Sequence, residues 1–383
     1  MSRNIRVDVA VVGDGLIGMS TALHLHRRYL SAAVIGGTPQ GRASTAAAGM
    51  LTPACEYDPW MPQEFYELLH KGLDYYPEFL SAFGFAPETV GYRPTDFTLL
   101  DLVERPDSLR SRTEWMDKYG IDHRWLSAAE VCEVEPQLSP RAFRGAIRIT
   151  GEAVVNPRAL LQAMTEWVTE EGSQVLGGGL AGVGDERGRL RLTTGGGDTV
   201  VADQVVIAAG AWSDRVGRAF GLDIPVCPVK GQIVRLSGPP GLLNSVVFMP
   251  SGGCGSIVSR SPGEYIVGTS EEYLRPEADN TAGVVGAVLG RLCSVVPEAA
   301  EWRIEEMWSG FRPMTSDELP VISRADDPRI VVATGHHRNG VLLTPVTGRL
   351  VAALVDDEAP GLSLDRFRYG RPLRPHTRFA TKY

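Results

Sequence analysis

The order of hydrophobic and polar positions along the chain predicts strands that alternate with helices. Residues 4–12 form an apolar run typical of a buried strand, and the segment after it is helical to about residue 29. Between residues 62 and 83, apolar side chains recur every three or four positions, as in a helix that packs on one face. Similar patterns predict helices over 107–119, 127–134, 156–171, 278–295 and 345–355, and strands over 32–35, 189–194, 199–209, 303–311 and much of 226–269.

Three glycines, Gly13, Gly15 and Gly18, form a G-x-G-x-x-G pattern between the first strand and the first helix. In such a turn the first glycine permits a tight bend, the second lets backbone approach a pyrophosphate, and the third allows close helix–strand packing. The pattern therefore predicts a dinucleotide site. An acidic residue usually ends the second strand and binds the ribose. Here Gly36 stands there, so we expect other groups to contact the ribose.

A polar turn, GHHRNG at residues 335–340, lies between an apolar strand and a helix that begins near Pro345. A helix N-terminus has free N–H donors and partial positive charge, which favour a bound anion. Such a turn can present backbone N–H groups and Arg338 to a flavin ring and its substrate. The alternative interpretation is an ordinary connection with an exposed arginine.

The alternation of elements predicts an α/β fold, in a two-domain α+β arrangement, with a backbone that crosses between the domains more than once. We assign residues 1–57, 151–224 and 315–383 to a discontinuous dinucleotide-binding domain. Residues 58–150 and 225–314 are assigned to a substrate domain with a mixed or antiparallel sheet.

The length, composition and charge of the chain argue against nucleic acid and membranes as binding partners. With 383 residues, 43% of them hydrophobic, the chain is long enough for one large or two interleaved domains. A formal net charge of -8 gives no general attraction to nucleic acid or acidic membranes. No apolar run approaches the roughly 20 residues of a membrane helix. The basic tail over residues 366–382 is more simply a solvated end than a binding arm.

The five cysteines include no C-x-x-C pair, which favours reduced thiols and argues against a disulfide scaffold or zinc site. No signal peptide is predicted, because strand-like residues 5–12 run straight into the glycine turn. We therefore expect a cytoplasmic protein without a metal.

Four segments resemble the D-amino-acid-oxidase-like FAD-dependent oxidoreductases, especially their glycine oxidase branch: GDGLIG at 13–18, ASTAAAGML at 43–51, VVIAAGAWS at 205–213 and GHHRNGVLLTP at 335–345. The resemblance spans nearly the whole chain. It implies non-covalent FAD, a glutathione-reductase-like Rossmann domain, and a substrate sheet that covers the flavin. Family chemistry would be oxidation of an amine alpha to a carboxylate to an imine, with O2 reduced to H2O2.

The resemblance also implies functions for individual residues. Arg312, in WSGFRP at 308–313, matches the arginine that binds the substrate carboxylate, for which a planar guanidinium is well suited. A structural ion pair is the alternative. Arg338 matches a second position near substrate and flavin, where it could steer or bind a further carboxylate. The cofactor contacts expected are Gly13, Gly15, Leu16, Ile17, Gly18, Gly36, Arg42, Ser44, Ala48, Gly49, Met50, Leu180, Ala209, Gly210, Gly335, His336, His337, Arg338, Asn339, Gly340, Val341 and Leu342.

The implied mechanism does not require a side-chain base, because the lone pair of a neutral amine can assist departure of the α-hydrogen as hydride. His336 and His337 could act as base and acid. We favour His336 as a packing or flavin-contact residue and leave His337 open. Lys230 lies in a family-like loop, where it could assist oxygen reduction or serve structure alone.

The substrate pocket is expected to include Met50, Met249 and Ser256. The branch commonly has a tyrosine where Ser256 stands, and three glycines lie nearby in SGGCG at 251–255. A larger pocket slightly favours an N-substituted glycine, cleaved after imine hydrolysis to glyoxylate and a primary amine. If Met249 or Tyr273 fills the gap, glycine itself is the expected substrate.

Other interpretations remain. A sarcosine-type oxidase with covalent flavin would need a cysteine shortly before T-x-x-D-E, and residues 310–318 contain none. A D-amino-acid oxidase, an NAD-dependent dehydrogenase and a non-catalytic flavoprotein subunit are further alternatives. The expected partners are an amine carboxylate and O2, and the resemblance leaves a homo-oligomer open.

Overall fold

The computed structural model describes residues 2–37, 40–58, 61–103, 109–249, 255–273 and 277–373. Gly252, Gly253 and Cys254, and the basic tail beyond residue 373, lie outside the described residues. The strands are β1 (Asn4–Val12), β2 (Ala32–Ile35), β3 (Met50–Leu51), β4 (Arg93–Leu102), β5 (His123–Ser127), β6 (Phe143–Val154), β7 (Gln174–Leu176), β8 (Leu180–Glu186), β9 (Arg189–Thr194), β10 (Thr199–Ile207), β11 (Val226–Ser237), β12 (Val246–Phe248), β13 (Ser256–Ser261), β14 (Glu264–Gly268), β15 (Glu272–Tyr273), β16 (Arg303–Thr315), β17 (Val321–Arg324) and β18 (Ile330–Thr334).

Helices connect these strands, and two of them begin at well-defined side-chain caps. Asn156 accepts backbone hydrogen bonds at the start of one helix, and Ser127 forms a capping box at the start of another. The helices are α1 (Leu16–His26), α2 (Ala43–Ala46), α3 (Pro53–Glu56), α4 (Gln63–Ala82), α5 (Pro87–Val90), α6 (Arg110–Lys118), α7 (Ala128–Val134), α8 (Pro157–Glu170), α9 (Ser213–Ala219), α10 (Ala282–Val295) and α11 (Thr344–Val355), with 3₁₀ turns at Gly210–Trp212, Pro297–Glu301, His337–Asn339 and Asp365–Phe367.

The first sheet has a parallel centre in the order β7-β2-β1-β10-β18, with β17, β8 and β9 added antiparallel. Side chains of β1 alternate between two buried clusters: Val9 and Val11 face α1, α8 and α11, whereas Ala10 and Val12 face the opposite side. A sheet covered on both faces explains why these strands are apolar throughout.

The second sheet follows the order β15-β11-β14-β13-β12-β4-β6-β3, with β16 beside β11 and β5 beside β6. Its pairs are antiparallel except β12 with β4, so the predicted mixed α/β architecture is confirmed. Ile233 and Phe248 on one face of this sheet belong to the same hydrophobic cluster as Val11 of the first sheet. The core is therefore continuous between the two sheets.

Three strands in residues 93–154 were not predicted individually. β4 begins with Arg93, Pro94 and two further polar residues, and β6 is interrupted by glycines and by shifts of register against β4. These features obscure the alternation that identifies a strand. The domain assignment differs from the sheets at two places. β3 and the end of β6 belong to the second sheet, although their residues were assigned to the dinucleotide-binding domain. The domain boundaries stay a prediction.

Among the described residues, no helix is both long enough and apolar enough to cross a bilayer.

Candidate active site

The turn between β1 and α1 can be built only with glycines. Gly13 has φ +128°, and a Cβ there would lie 2.2 Å from the Ala208 carbonyl oxygen at the end of β10. A Cβ on Gly18 would lie 1.8 Å from the Gly13 carbonyl oxygen. Gly15 precedes α1, whose N-terminus receives no side-chain cap. The turn therefore exposes backbone beside a helix N-terminus, as a pyrophosphate site requires.

A side chain at position 36 would meet the side chain of Asp14 where it lies in this structure. A Cβ on Gly36 would lie 2.2 Å from Oδ2 of Asp14, because the side chain of Asp14 packs against the end of β2. That carboxylate is paired with Arg42 at 2.9 Å. A charged pair from the glycine turn and the following segment thus occupies the place where the usual acidic side chain would stand.

Three side chains fix the small-residue segment that follows. The backbone oxygen of Thr45 accepts from Arg158 Nε at 2.8 Å, that of Ala46 from Trp308 Nε1 at 3.1 Å, and that of Ala47 from Arg260 at 3.4 Å. We call these donors the carbonyl clamp. Arg158 lies on α8, which packs on the first sheet, whereas Arg260 and Trp308 lie on β13 and β16 of the second sheet. The segment is therefore held between α8 and the second sheet.

A cavity of about 280 Å³ extends from the glycine turn, past residues 42–50 and 208–212, to the GHHRNG turn. Its polar backbone end, its small-residue wall and its position between two sheets fit FAD. Gly49 contributes to this fit, because its φ of +94° and a Cβ contact of 1.9 Å with Val155 oxygen exclude any larger residue.

The GHHRNG turn forms the end of the cavity that lies away from the glycine turn. Gly335 and His337 both have positive φ, at 76° and 46°. His336 is buried, and its Nε2 lies 3.1 Å from Thr347 Oγ1. Burial lowers the pKa of His336 to about 3, so this ring is neutral near pH 7. A backbone bridge between Met314 and His336 ties the turn to β16.

Arg312 extends from β16 into the cavity across a glycine. A Cβ on Gly231 would lie 2.8 Å from both terminal nitrogens of Arg312, so the glycine makes room for the guanidinium. Arg312 donates to the Ser270 carbonyl oxygen at 3.2 Å and to Thr269 Oγ1. Burial lowers the pKa of Arg312, and the Glu271 carboxylate opposes that shift. Both hydrogen-bond acceptors are neutral oxygens.

Arg338 has a different environment. Its Nε lies 2.9 Å from Oε2 of Glu56, a carboxylate at the end of α3 that is almost fully buried. Attraction by the Glu56 carboxylate raises the pKa of Arg338, whose side chain is 34% exposed. Both side chains line the same cavity as Arg312. One guanidinium in the cavity is therefore charge-paired within the protein, while the other is held by neutral groups.

A carboxylate and an imidazole lie beside these arginines. Glu271 lines the cavity, and its Oε1 is 3.5 Å from Nε2 of His337. The other ring nitrogen, Nδ1, is 3.8 Å from Glu318 Oε2. Burial raises the pKa of Glu271, but His337, Arg338 and Arg312 have the larger combined effect and lower the pKa to about 2. Glu271 is thus ionised at neutral pH.

The remaining wall is formed by Met50, Met249 and Ser256, with Phe248 and Ile233. Ser256 is fully buried and donates to the Gly268 carbonyl oxygen at 3.2 Å. Met249 faces the cavity, as expected if this side chain fills the space beside Ser256 and glycine is the substrate. Tyr273 does not line it.

Most of the predicted site residues come together around the cavity, and a minority do not. Those that line it are Gly13, Gly15, Leu16, Ile17, Arg42, Ser44, Ala48, Gly49, Met50, Ala209, Gly210, Met249, Ser256, Arg312, His336, His337, Arg338, Gly340 and Val341. Those that do not are Gly18, Gly36, Leu180, Gly335, Asn339 and Leu342. Gly18 and Gly36 pack behind the glycine turn, whereas Leu180 begins β8. The assigned contacts with FAD stay predictions.

Lys230 faces away from the cavity. It lies on β11 next to Gly231, which lines the cavity, and successive side chains of a strand point to opposite faces. Its fully buried Nζ donates to Asp279 Oδ1 at 2.6 Å. This position supports the structural interpretation of Lys230 over a role in oxygen reduction.

Sequence reasoning missed several lining residues, above all Glu56 and Glu271. Two consecutive acids, Glu271 and Glu272, follow an apolar strand and offered a weak signal, but Glu56 offered none. Within the described ranges, no cluster of His, Cys, Asp and Glu side chains has the geometry of a metal site.

A glycine turn on a parallel sheet, facing a second sheet that carries an arginine into the shared cavity, is typical of a dinucleotide-dependent oxidoreductase. The family model described as FAD dependent oxidoreductase (DAO) matches residues 8–354, and the chain belongs to this family. FAD is its cofactor.

Individual relatives are similar over nearly their whole length. The glycine oxidase of Geobacillus kaustophilus is 35% identical, over 96% of this chain and 97% of that protein. Its crystal structure has a TM-score of 0.88 at 31% identity, covering 97% of this chain and 100% of that one. The iminodiacetate oxidase of Chelativorans sp. has a TM-score of 0.84 at 25% identity, covering 94% and 98% of the two chains.

Proposed function

We propose that the protein oxidises an amine alpha to a carboxylate, with glycine or, slightly favoured, an N-substituted glycine as substrate. The imine product would hydrolyse to glyoxylate and ammonia or a primary amine, and O2 would be reduced to H2O2. The similarity to glycine oxidase supports this class of substrate. Iminodiacetate, the substrate named for the second relative, is itself an N-substituted glycine.

The observation that carries the proposal is the environment of Arg312. A half-buried guanidinium held by the neutral oxygens of Thr269 and Ser270 keeps its positive charge available for a carboxylate. The same cavity contains the GHHRNG turn and the small-residue wall that fit the flavin. Bound FAD would supply the acceptor for a hydride, which carries both electrons of the oxidation, while the chain orients the substrate and excludes water.

The width of the pocket decides between the two substrates. At Ser256 the wall is a small hydroxyl side chain that is bonded to Gly268 oxygen, which leaves room for a substituent on nitrogen. Phe248 and Met249 reach the cavity from the neighbouring strand and support glycine itself. We favour the substituted glycine because a serine is much smaller than the aromatic residue expected there.

Anaerobic mixing tests the function. The oxidised-flavin absorbance would be followed after mixing with glycine, N-ethylglycine or D-alanine. Fast bleaching by N-ethylglycine supports the enlarged pocket, and bleaching by glycine alone assigns a plain glycine oxidase. Bleaching by D-alanine alone favours a D-amino-acid oxidase, and no bleaching by any amine favours a non-catalytic flavoprotein.

The variant Ser256→Tyr sharpens this test. It should reduce kcat/KM for N-ethylglycine about tenfold relative to glycine, because the added ring occupies the substituent's space. Ser261→Tyr, at the exposed end of the same strand, is the matched control. An unchanged preference in Ser256→Tyr would eliminate the pocket argument.

Non-covalent FAD is a further part of the proposal. Cys55, Cys132, Cys227 and Cys293 are free thiols, and no described cysteine lines the cavity. Acid precipitation should leave the flavin in the supernatant. Flavin that stays with the precipitate would instead indicate a covalent, sarcosine-oxidase-like attachment.

A further inference from the structure

A carboxylate, an imidazole and a second carboxylate lie in sequence beside the substrate arginine. Glu271 and His337 both line the cavity with Arg312, and Glu318 lies behind His337. The 3.5 Å between Glu271 Oε1 and His337 Nε2 is slightly longer than a hydrogen bond, and within the described residues this buried Nε2 has no hydrogen-bond partner. Catalytic hydrogen bonds are often long without substrate and shorten in the complex.

Charges around His337 come from every side. Glu271 and Glu318 favour its protonated form, whereas Arg338 and Arg312 disfavour it. Burial is the largest influence and lowers the pKa of His337 overall. The ring is therefore neutral at physiological pH and able to accept a proton. A protonated ring would lie between two carboxylates, which would stabilise it after the transfer.

The proposed reaction needs such an acceptor. An aliphatic ammonium has a pKa of about 10, so the substrate amine arrives protonated at neutral pH. In that form the nitrogen has no lone pair to assist hydride departure from the α-carbon. Either the enzyme selects the rare neutral amine, or a group in the cavity removes the proton.

We propose that Glu271 binds the substrate ammonium and that His337 accepts its proton, an inference that rests on the proposed function. The carboxylate of the substrate would be bound by Arg312, and its ammonium would lie toward Glu271. The N–H bond of the ammonium breaks, its electron pair remains on nitrogen, and a new N–H bond forms at Nε2 of His337. His337 becomes an imidazolium and the substrate becomes a neutral amine.

The neighbouring histidine is not suited to this function. Nε2 of His336 is already within hydrogen-bond distance of Thr347 Oγ1, and burial lowers its pKa to about 3, too low for an effective base. The low pKa of His336 comes from burial, whereas the carboxylates of Glu271 and Glu318 act on His337 and partly offset its burial. Adjacent histidines thus have separate functions.

The first experiment measures the rate constant of anaerobic flavin bleaching from about pH 6 to pH 10. His337→Asn is suitable because asparagine tolerates the φ of +46° better than most residues. We expect its rate constant to be about 1000-fold below wild type at pH 7, because only about one substrate molecule in a thousand is neutral there. It should rise about tenfold per pH unit and approach wild type near pH 10, where the substrate amine is already neutral. An identical pH profile in wild type and His337→Asn would overturn the inference.

His70→Gln is the matched control, because His70 is exposed on α4, where its Nδ1 lies 3.0 Å from Asp74 Oδ2. It should reproduce the wild-type profile. Flavin content and thermal stability of each variant report folding, and the first-order rate constant is independent of the fraction loaded. If the wild type bleaches with no amine at any pH, the proposed function itself fails, and this result is distinct from a normal wild type with an unaffected variant.

Glu271→Gln tests the binding step separately and does not require His337→Asn to fold. Loss of the charge should raise the dissociation constant for the zwitterionic substrate about tenfold. Binding of acetate, which lacks an ammonium, should not weaken, because its carboxylate contacts Arg312. Equal weakening of both ligands would contradict the assignment of Glu271 to the amine.

Discussion

The two ends of the cavity are constructed in different ways. At the dinucleotide end, backbone atoms determine the shape: Gly13 and Gly18 lie so close to neighbouring carbonyl oxygens that no side chain fits. At the substrate end, charged side chains from four segments determine the chemistry, and Arg312 and Arg338 differ mainly in their partners. The comparison shows that a local motif can specify a binding surface, whereas tertiary packing is needed to specify a charge arrangement.

The largest effect is expected at Arg312. Arg312→Gln should lower kcat/KM for the amine about 1000-fold, because the substrate carboxylate loses its charged partner in the cavity. FAD content should remain close to wild type, since the dinucleotide end is unchanged. Arg303→Gln, on the exposed part of the same strand, is the control. A loss of less than about tenfold would assign Arg312 to structure.

The second largest effect is expected at the dinucleotide end of the cavity. Gly13→Ala should weaken FAD binding about 100-fold, because a Cβ 2.2 Å from Ala208 oxygen forces β10 away from the turn. Apoprotein reconstituted with increasing FAD would give the dissociation constant. Gly283→Ala, where a Cβ meets no atom within 4 Å, should bind FAD normally. Normal affinity in Gly13→Ala would show that the two ends are not constructed differently.

A smaller effect is expected from the Glu56–Arg338 pair. Glu56→Gln removes the carboxylate at 2.9 Å from Arg338 and leaves that guanidinium able to bind a second carboxylate. We expect the KM for iminodiacetate to fall about tenfold relative to glycine. Glu64→Gln, on the surface of α4, serves as the control. An unchanged ratio would mean that Arg338 does not face the substrate.

The smallest effect concerns the buried Glu152, whose pKa is raised to about 8, mainly by burial. The folded state holds this proton over a pH range in which the unfolded chain has lost it. Glu152 therefore makes the free energy of unfolding fall as pH rises from about 4.5 to about 8.

The neutral variant Glu152→Gln should remove that slope. At pH 8 we expect a Tm about 5 °C above wild type, and near pH 4.5 no gain, as measured by thermal unfolding at both values. A gain of equal size at both pH values would contradict the assignment to this carboxyl.

The sequence predicted the dinucleotide end of the cavity better than the charged residues at the substrate end. The glycine turn could be predicted because its constraint is local, and the side chain of Asp14 lies where a side chain at position 36 would stand. Glu56 and Glu271 could not be predicted, because an acidic side chain in the sequence resembles any surface charge until the fold places it at the cavity beside the arginines. The strand β6 was missed for a related reason: its bulges and glycines depend on β4 for their partners.

The carbonyl clamp has a consequence for assembly. Arg158, Arg260 and Trp308 hold a segment that precedes them by between 113 and 262 positions in the chain. During synthesis the segment leaves the ribosome long before its donors, so it cannot adopt its final position until β16 is complete. Cofactor loading should therefore be a late event of folding, and FAD should act as a reporter of the finished interface between the sheets.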